Sequence, residues 1–327
     1  MKLFDIHTHV YPEAIARKAA ASIREFYQLG TDEMDGTVQS LLERGTMAGI
    51  DRFLILPVSM RADRTRHIND FILEQVAAQP RFLGFGTLHA AMEGITEEVQ
   101  YIMDKGLRGV KMHPDSQVFA IDDPRLFPAY EMLEGNLPVI LHMGDKRFDY
   151  SHPARLRHVL ENFPRLQVIA AHFGGYGMYE TAYECLHDKD CIFDVSSSMM
   201  FMEDGVAEKF INIYGAERMA FGTDYPLWDP VPETKRFLQL KLTDEQFEQI
   251  GHKTAERILN LKHKTGASGW MRPFAVIGIR EAPPDGFLFW SCAGWELPAA
   301  VSEYPPMPVR RQCRRHRRKR QGDREWG

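Results

Sequence analysis

The sequence predicts an α/β protein built as a (β/α)8 barrel, and three observations predict it. Short, apolar, β-rich runs alternate with helical stretches, eight such runs can be counted, and the polar residues able to do chemistry gather at their carboxyl ends. The runs are residues 2–6, 52–56, 82–87, 109–112, 138–141, 167–171, 191–195 and 219–222. Each is short and continuous in hydrophobicity, as a parallel strand buried on both faces must be. Helical stretches lie between them, at residues 13–28, 68–78, 96–105, 126–133, 154–162 and 206–214. The last helix, 243–259, opens on Thr243-Asp244-Glu245-Gln246, a capping box. Pro80, Pro138 and Pro164 mark helix ends just before strands. Eight strand–helix units fill about 250 residues, so the barrel is expected over residues 1–263. An open dinucleotide-binding sheet is not expected, because no G-x-G-x-x-G follows the first strand.

Composition narrows the function classes. The 327-residue chain has 44% hydrophobic residues and a net charge of -5, which argues against a nucleic-acid-binding barrel. Its four cysteines form no C-x-x-C, so neither a disulfide framework nor a thiolate zinc site is indicated. No apolar run is long enough to span a bilayer and no signal peptide is read before the first strand, so a cytoplasmic setting is expected. The charge average hides a split. Residues 264–327 hold 12 Lys/Arg against 6 Asp/Glu, whereas the preceding 263 hold 28 against 39. That final stretch, rich in proline and arginine, reads as an irregular extension, either disordered or non-native to the barrel. The functional alternative for it is an electrostatic tether to nucleic acid or anionic lipid.

The chemistry sits at the carboxyl ends of the strands in such a barrel. His7 and His9 end the first run, and residues i and i+2 of a strand point the same way, so they present two imidazoles side by side as metal ligands. Lys111 and His113, His142, His172 and Asp224 follow at the ends of later runs. At this point His7-Thr8-His9, Gly109-Val110-Lys111-Met112-His113-Pro114, Leu141-His142-Met143-Gly144, Ala171-His172-Phe173-Gly174-Gly175 and Phe221-Gly222-Thr223-Asp224-Tyr225-Pro226 resemble the amidohydrolase superfamily of TIM barrels. More narrowly, they are similar to its "amidohydrolase 2" branch of metal-dependent hydrolases and related decarboxylases.

The resemblance implies that His7, His9, His142 and Asp224 bind one divalent metal ion, with zinc expected first and manganese or iron as alternatives. It implies that His172 is catalytic beside that metal. It also places Lys111 where some members carry a carbamylated lysine bridging two metals; a second metal is not expected here. Such an ion lowers the pKa of a bound water toward about 7, and Asp224 can then accept and return a proton. Lys111, His113, Arg61, Arg147 and Trp228 are candidates for substrate contact, Arg61 or Arg147 by gripping a carboxylate. No organic cofactor is expected. The expected activity is hydrolysis of an amide, lactone or ester bond in a small organic substrate. The alternative is non-hydrolytic decarboxylation of a small aromatic acid, and a third reading is a barrel that has lost its chemistry and only binds. The expected partner is the small-molecule substrate, with no membrane; self-association into a homo-oligomer is left open.

Overall fold

The computed structural model describes residues 1–30 and 34–261. The strands are β1 (Phe4–Thr8), β2 (Arg52–Ile55), β3 (Phe82–Gly84), β4 (Gly86–Thr87), β5 (Val110–Met112), β6 (Val139–Leu141), β7 (Val168–Ala170), β8 (Ile192–Asp194) and β9 (Met219–Ala220). All neighbours pair in parallel, in the orders β1-β2-β3 and β4 to β9. The expected third run, 82–87, is thus one barrel strand in two pieces. The break falls at Phe85, whose N–H donates to Ile55 while the next N–H, of Gly86, turns to Gly109. Backbone bonds from Ile6 to Phe221, from Asp224 to His7 and from His9 to Tyr225 join the last strand region to the first. With the Thr8–Tyr225 bridge, they close the ring.

The long helices follow their strands: α1 (Ala16–Phe26), α2 (Val38–Met47), α3 (Thr65–Ala78), α4 (Ile95–Asp104), the short α5 (Pro114–Gln117), α6 (Phe127–Leu133), α7 (Pro153–Asn162), α8 (Tyr179–Leu186), α9 (Val206–Tyr214) and α10 (Pro230–Leu238). Proline at the first turn of α7 and α10 removes an N–H that would have no helical partner. The capping box on Thr243 forms as expected and opens α11 (Asp244–Glu248). The final helix then widens into a π segment at Gln249–Lys253 before α12 (Thr254–Ile258). The widening sends the Ile250 carbonyl to the Phe221 N–H, just past β9.

Two apolar layers follow from strand alternation. Phe53, Ile55, Val110, Met112, Val139, Leu141, Val168 and Ala170 face the helices. Leu54, Phe85, Ile140, Ile169 and Ala220 fill the interior, where Ala255, Ile258 and Leu259 of the last helix join them. β1 departs from simple alternation. Asp5 pairs with Phe53 but Thr8 pairs with Ile55, so β1 carries one extra residue, a β-bulge. Ile6 packs in the interior cluster, and the bulge lets the adjacent His7 reach inward as well. Among the described residues no helix is long and apolar enough to cross a membrane. The basic stretch 264–327 lies outside the described residues.

Candidate active site

Strand ends and the loops just past them build the site. His7, His9 and Asp224 converge, each offering a ligand atom within 4.8 Å of the others. The Nε2 atoms of His7 and His9 lie 3.5 and 3.4 Å from the same oxygen of Asp224. Both rings are held from behind. His7 Nδ1–H donates to Asp194 Oδ2 at 2.8 Å, and His9 Nδ1–H donates to the Leu56 carbonyl at 2.7 Å. A neutral imidazole carries one N–H, so both Nε2 lone pairs face Asp224. The Lys111 ammonium donates to His7 Nε2 at 3.1 Å, which agrees with that tautomer. Burial and the Lys111 charge push His7 down to about 4, so its ring is neutral at pH 7. Two imidazoles and one carboxylate are a donor set suited to a divalent transition ion.

The backbone there is unusual. His172, Phe173, Ser197 and Asp224 all sit at positive φ, between 49° and 62°. A non-glycine residue at such angles costs about 1–3 kcal/mol and persists only where its surroundings enforce it. Asp224 is enforced by its N–H bond to the His7 carbonyl and by the Ser197 hydroxyl on its carboxylate. Gly222 makes room for His7, because a Cβ there would lie 2.9 Å from the His7 Cβ.

The other expected residues fall into a second row. His172 stacks on His7, ring centres 5.1 Å apart, and its backbone N–H donates to Asp194 Oδ1. Its Nδ1 meets the Ser196 carbonyl and hydroxyl, and its Nε2 lies 3.0 Å from His142 Nδ1. His142 therefore does not join the tight group of His7, His9 and Asp224. Its ligand atoms group with His113 and Asp115, and its ring stacks on His113 at 3.9 Å. Lys111 is fully buried among these groups, and burial lowers it to about 8.

Of the arginine candidates, the structure does not bring Arg61 to this cluster. It lies on the surface, paired with Asp63 at 2.8 Å, because an exposed neighbouring carboxylate is the nearest partner for its fork. Arg147 reaches the mouth but is spent on a bidentate pair with Asp145, Nε donating to Oδ1 and Nη2 to Oδ2. Its guanidinium covers the rings of Phe26, Tyr27 and Phe148. Trp228 donates to the Ser197 hydroxyl that in turn holds Asp224. It is thus tied to the site through one hydroxyl.

Three groups escaped sequence reasoning. Asp194, the last residue of β8, orients His7; a rule that reads acids as well as histidines at strand ends finds it. Asp5 is buried inside β1, accepts from Thr223 and the His7 N–H, and is raised to about 7 by burial. Tyr27, just past α1, places its hydroxyl 2.7 Å from His113 Nε2. No local signal marks it.

The 2-amino-3-carboxymuconate-6-semialdehyde decarboxylase of Dictyostelium discoideum is 26% identical over 203 residues, covering 50% of this chain and 56% of that protein. The chain thus spans little more than half the length of that relative. An uncharacterized TIM-barrel protein from Bordetella bronchiseptica superposes with a TM-score of 0.68 at 24% identity, over 80% of this chain and 99% of that one. A dihydroxybenzoic acid decarboxylase from Polaromonas, solved with manganese and the inhibitor 2-nitroresorcinol, gives 0.62 at 17%, over 80% and 97%. These two likenesses establish the fold, a TIM barrel. A family model described as amidohydrolase (Amidohydro_2) matches residues 4–261; with the histidine-rich strand ends that span contains, the chain belongs to the amidohydrolase family.

Proposed function

We propose that this protein is a metal-dependent decarboxylase of a small aromatic or conjugated carboxylic acid, acting in the cytoplasm. The carrying observation is the convergence of His7, His9 and Asp224 with His172 stacked beside them. The decarboxylase alternative is favoured over the expected hydrolysis because similar proteins include a semialdehyde decarboxylase and a dihydroxybenzoic acid decarboxylase. The site walls support the same choice. The rings of Tyr27, Tyr176, Phe201 and Trp228 follow one another at 5.5 to 5.9 Å, a wall suited to a planar substrate. Tyr176 and Phe201 also line a half-open pocket of about 370 Å³, together with Lys146 and Tyr179.

In this reading His7, His9 and Asp224 hold one divalent cation, manganese or zinc, and His142 is proposed as a fourth donor. The cation would supply a Lewis acid that polarises a bound substrate oxygen. The chain's own residues do the rest. When the carbon–carboxylate bond breaks, carbon dioxide leaves and the electron pair stays on carbon, which takes a proton. His172 and Asp224 are the proposed groups that move that proton. Lys111 and His113 are proposed to face the substrate, and Asp194 keeps His7 in its ligating tautomer.

The test couples metal analysis of the purified chain to paired substrate panels. We expect about one equivalent of divalent metal, and carbon dioxide release from dihydroxybenzoates or conjugated diacids that is lost in H172A. Turnover of amides, lactones or esters instead restores the hydrolase. A metal-free protein inert to both panels makes it a binding barrel.

A further inference from the structure

The turn that carries Tyr27 is held from two sides. It follows the last residue of α1, and the chain leaves through Gln28 at φ 55°. The N–H groups of Gln28 and Leu29 return to the Glu25 and Arg24 carbonyls, closing a Schellman-type cap. Arg24 also donates to the Leu227 carbonyl at 2.9 Å, just past Asp224. From the other side, Arg147 donates to the Phe26 carbonyl and covers the Tyr27 ring, while Asp145 holds the guanidinium. The end of α1 is therefore tied to the loops after β6 and β9, both at the site.

The hydrogen-bond directions decide what the hydroxyl can do. His113 Nδ1 accepts from the Ser116 N–H, so the single N–H of a neutral His113 lies on Nε2. It donates to the Tyr27 oxygen at 2.7 Å. The phenol O–H must then point elsewhere. Its nearest described acceptors are the two nitrogens of His142, both at 3.4 Å, too long for a good O–H bond. A phenol with a restrained position, its oxygen already accepting and its proton poorly used, is prepared to donate to something not yet there. Tyr176, which lines the adjacent cavity, stands 5.5 Å from it, ring to ring.

We propose that Tyr27 is a specificity residue whose hydroxyl donates to an oxygen of the substrate, a carboxylate or phenol oxygen lying against the Tyr176 face. The assignment rests on the decarboxylase reading for the identity of the substrate, and its test separates the two.

The full-length manganese-loaded protein and its Y27F variant, which keeps the ring and loses only the hydroxyl, are compared in two arms. Calorimetric titration with 2-nitroresorcinol is expected to show affinity about 10- to 100-fold weaker in Y27F, the worth of one hydrogen bond to an anionic oxygen. Manganese stoichiometry and thermal midpoint should stay unchanged. Kinetics on 2,6-dihydroxybenzoate are expected to show the same loss mainly in KM rather than kcat. Equal affinity in the two proteins overturns the assignment, as does failure of the unaltered protein to bind 2-nitroresorcinol. Absence of carbon dioxide release from the unaltered protein, with the affinity difference intact, removes the decarboxylase reading and leaves Tyr27 as a ligand-binding residue.

Discussion

Asp194 is the residue on which the proposed metal centre most depends without belonging to it. Its Oδ2 takes the His7 Nδ1–H and its Oδ1 takes the backbone N–H of His172 and the N–H and O–H of Ser196. One buried carboxylate thereby orients a proposed ligand, a catalytic candidate and the loop that follows β8. Burial alone would raise it, but His7 and Ser196 hold it below the ordinary carboxylate range. Changing Asp194 to Asn keeps the shape but removes the charge that holds the His7 proton on Nδ1. Manganese affinity should fall about 10- to 100-fold, read by calorimetry; an unchanged affinity would show that His7 needs no such support. His7, His9 and Asp224 could be read from sequence because their side chains suit ligation and their places at strand ends follow from counting. Asp194 and Tyr27 could not be weighed in the same way. Their roles come from partners 187 and 86 residues away, and no local pattern encodes such a pairing.

At the scale of elements, the strands followed from hydrophobicity and the irregularities did not. The run at residues 82–87 reads as one strand, and its division at Phe85 arises because one part pairs with β2 and the other with β5. Phe85 plugs the interior at that division and is fully buried. Replacing it with alanine should cost about 3–5 kcal/mol, measured by urea unfolding; a loss below 1 kcal/mol would mean the interior collapses around the gap. The helix α10 supplies a pH-dependent term. Burial raises Glu233 from 4.5 to about 7, with only a half-exposed Arg236 opposing it, and Oε2 has no hydrogen-bond partner among the described residues. The folded state therefore binds this proton more tightly than the unfolded chain. Its contribution is fully present below pH 4.5 and is lost as pH rises to about 7. At 1.36 kcal/mol per pKa unit this is about 3 kcal/mol. The E233Q variant should flatten that part of the stability profile in denaturant titrations at pH 5 and 7; parallel profiles for both proteins would reject the account.

For the whole molecule, ring closure is the decisive event. It sets β1 beside β9, which brings His7 and His9 onto Asp224 across more than two hundred residues. The family match ends at residue 261, and the described interior is filled by then, with Ala255, Ile258 and Leu259 in place. A chain ending at residue 265 should keep the thermal midpoint within about 2 °C, a change under about 1 kcal/mol, and keep its metal content. A large fall in either would give the basic segment a structural part in the barrel.

The sequence by itself determined the eight strand runs, the barrel they close into, the family, and which polar residue types gather at one end. These depend on local hydrophobic patterning and on residue types at strand ends, both of which are written along the chain. Only the tertiary structure decided which of those residues meet. It grouped His7, His9 and Asp224, set His142 against His113 and His172, left Arg61 on the surface, and brought Tyr27 over the mouth. Those outcomes turn on a one-residue bulge in β1, on ring closure and on which hydrogen-bond partner each imidazole finds. Each is a relation between distant segments that exists only once the chain has folded.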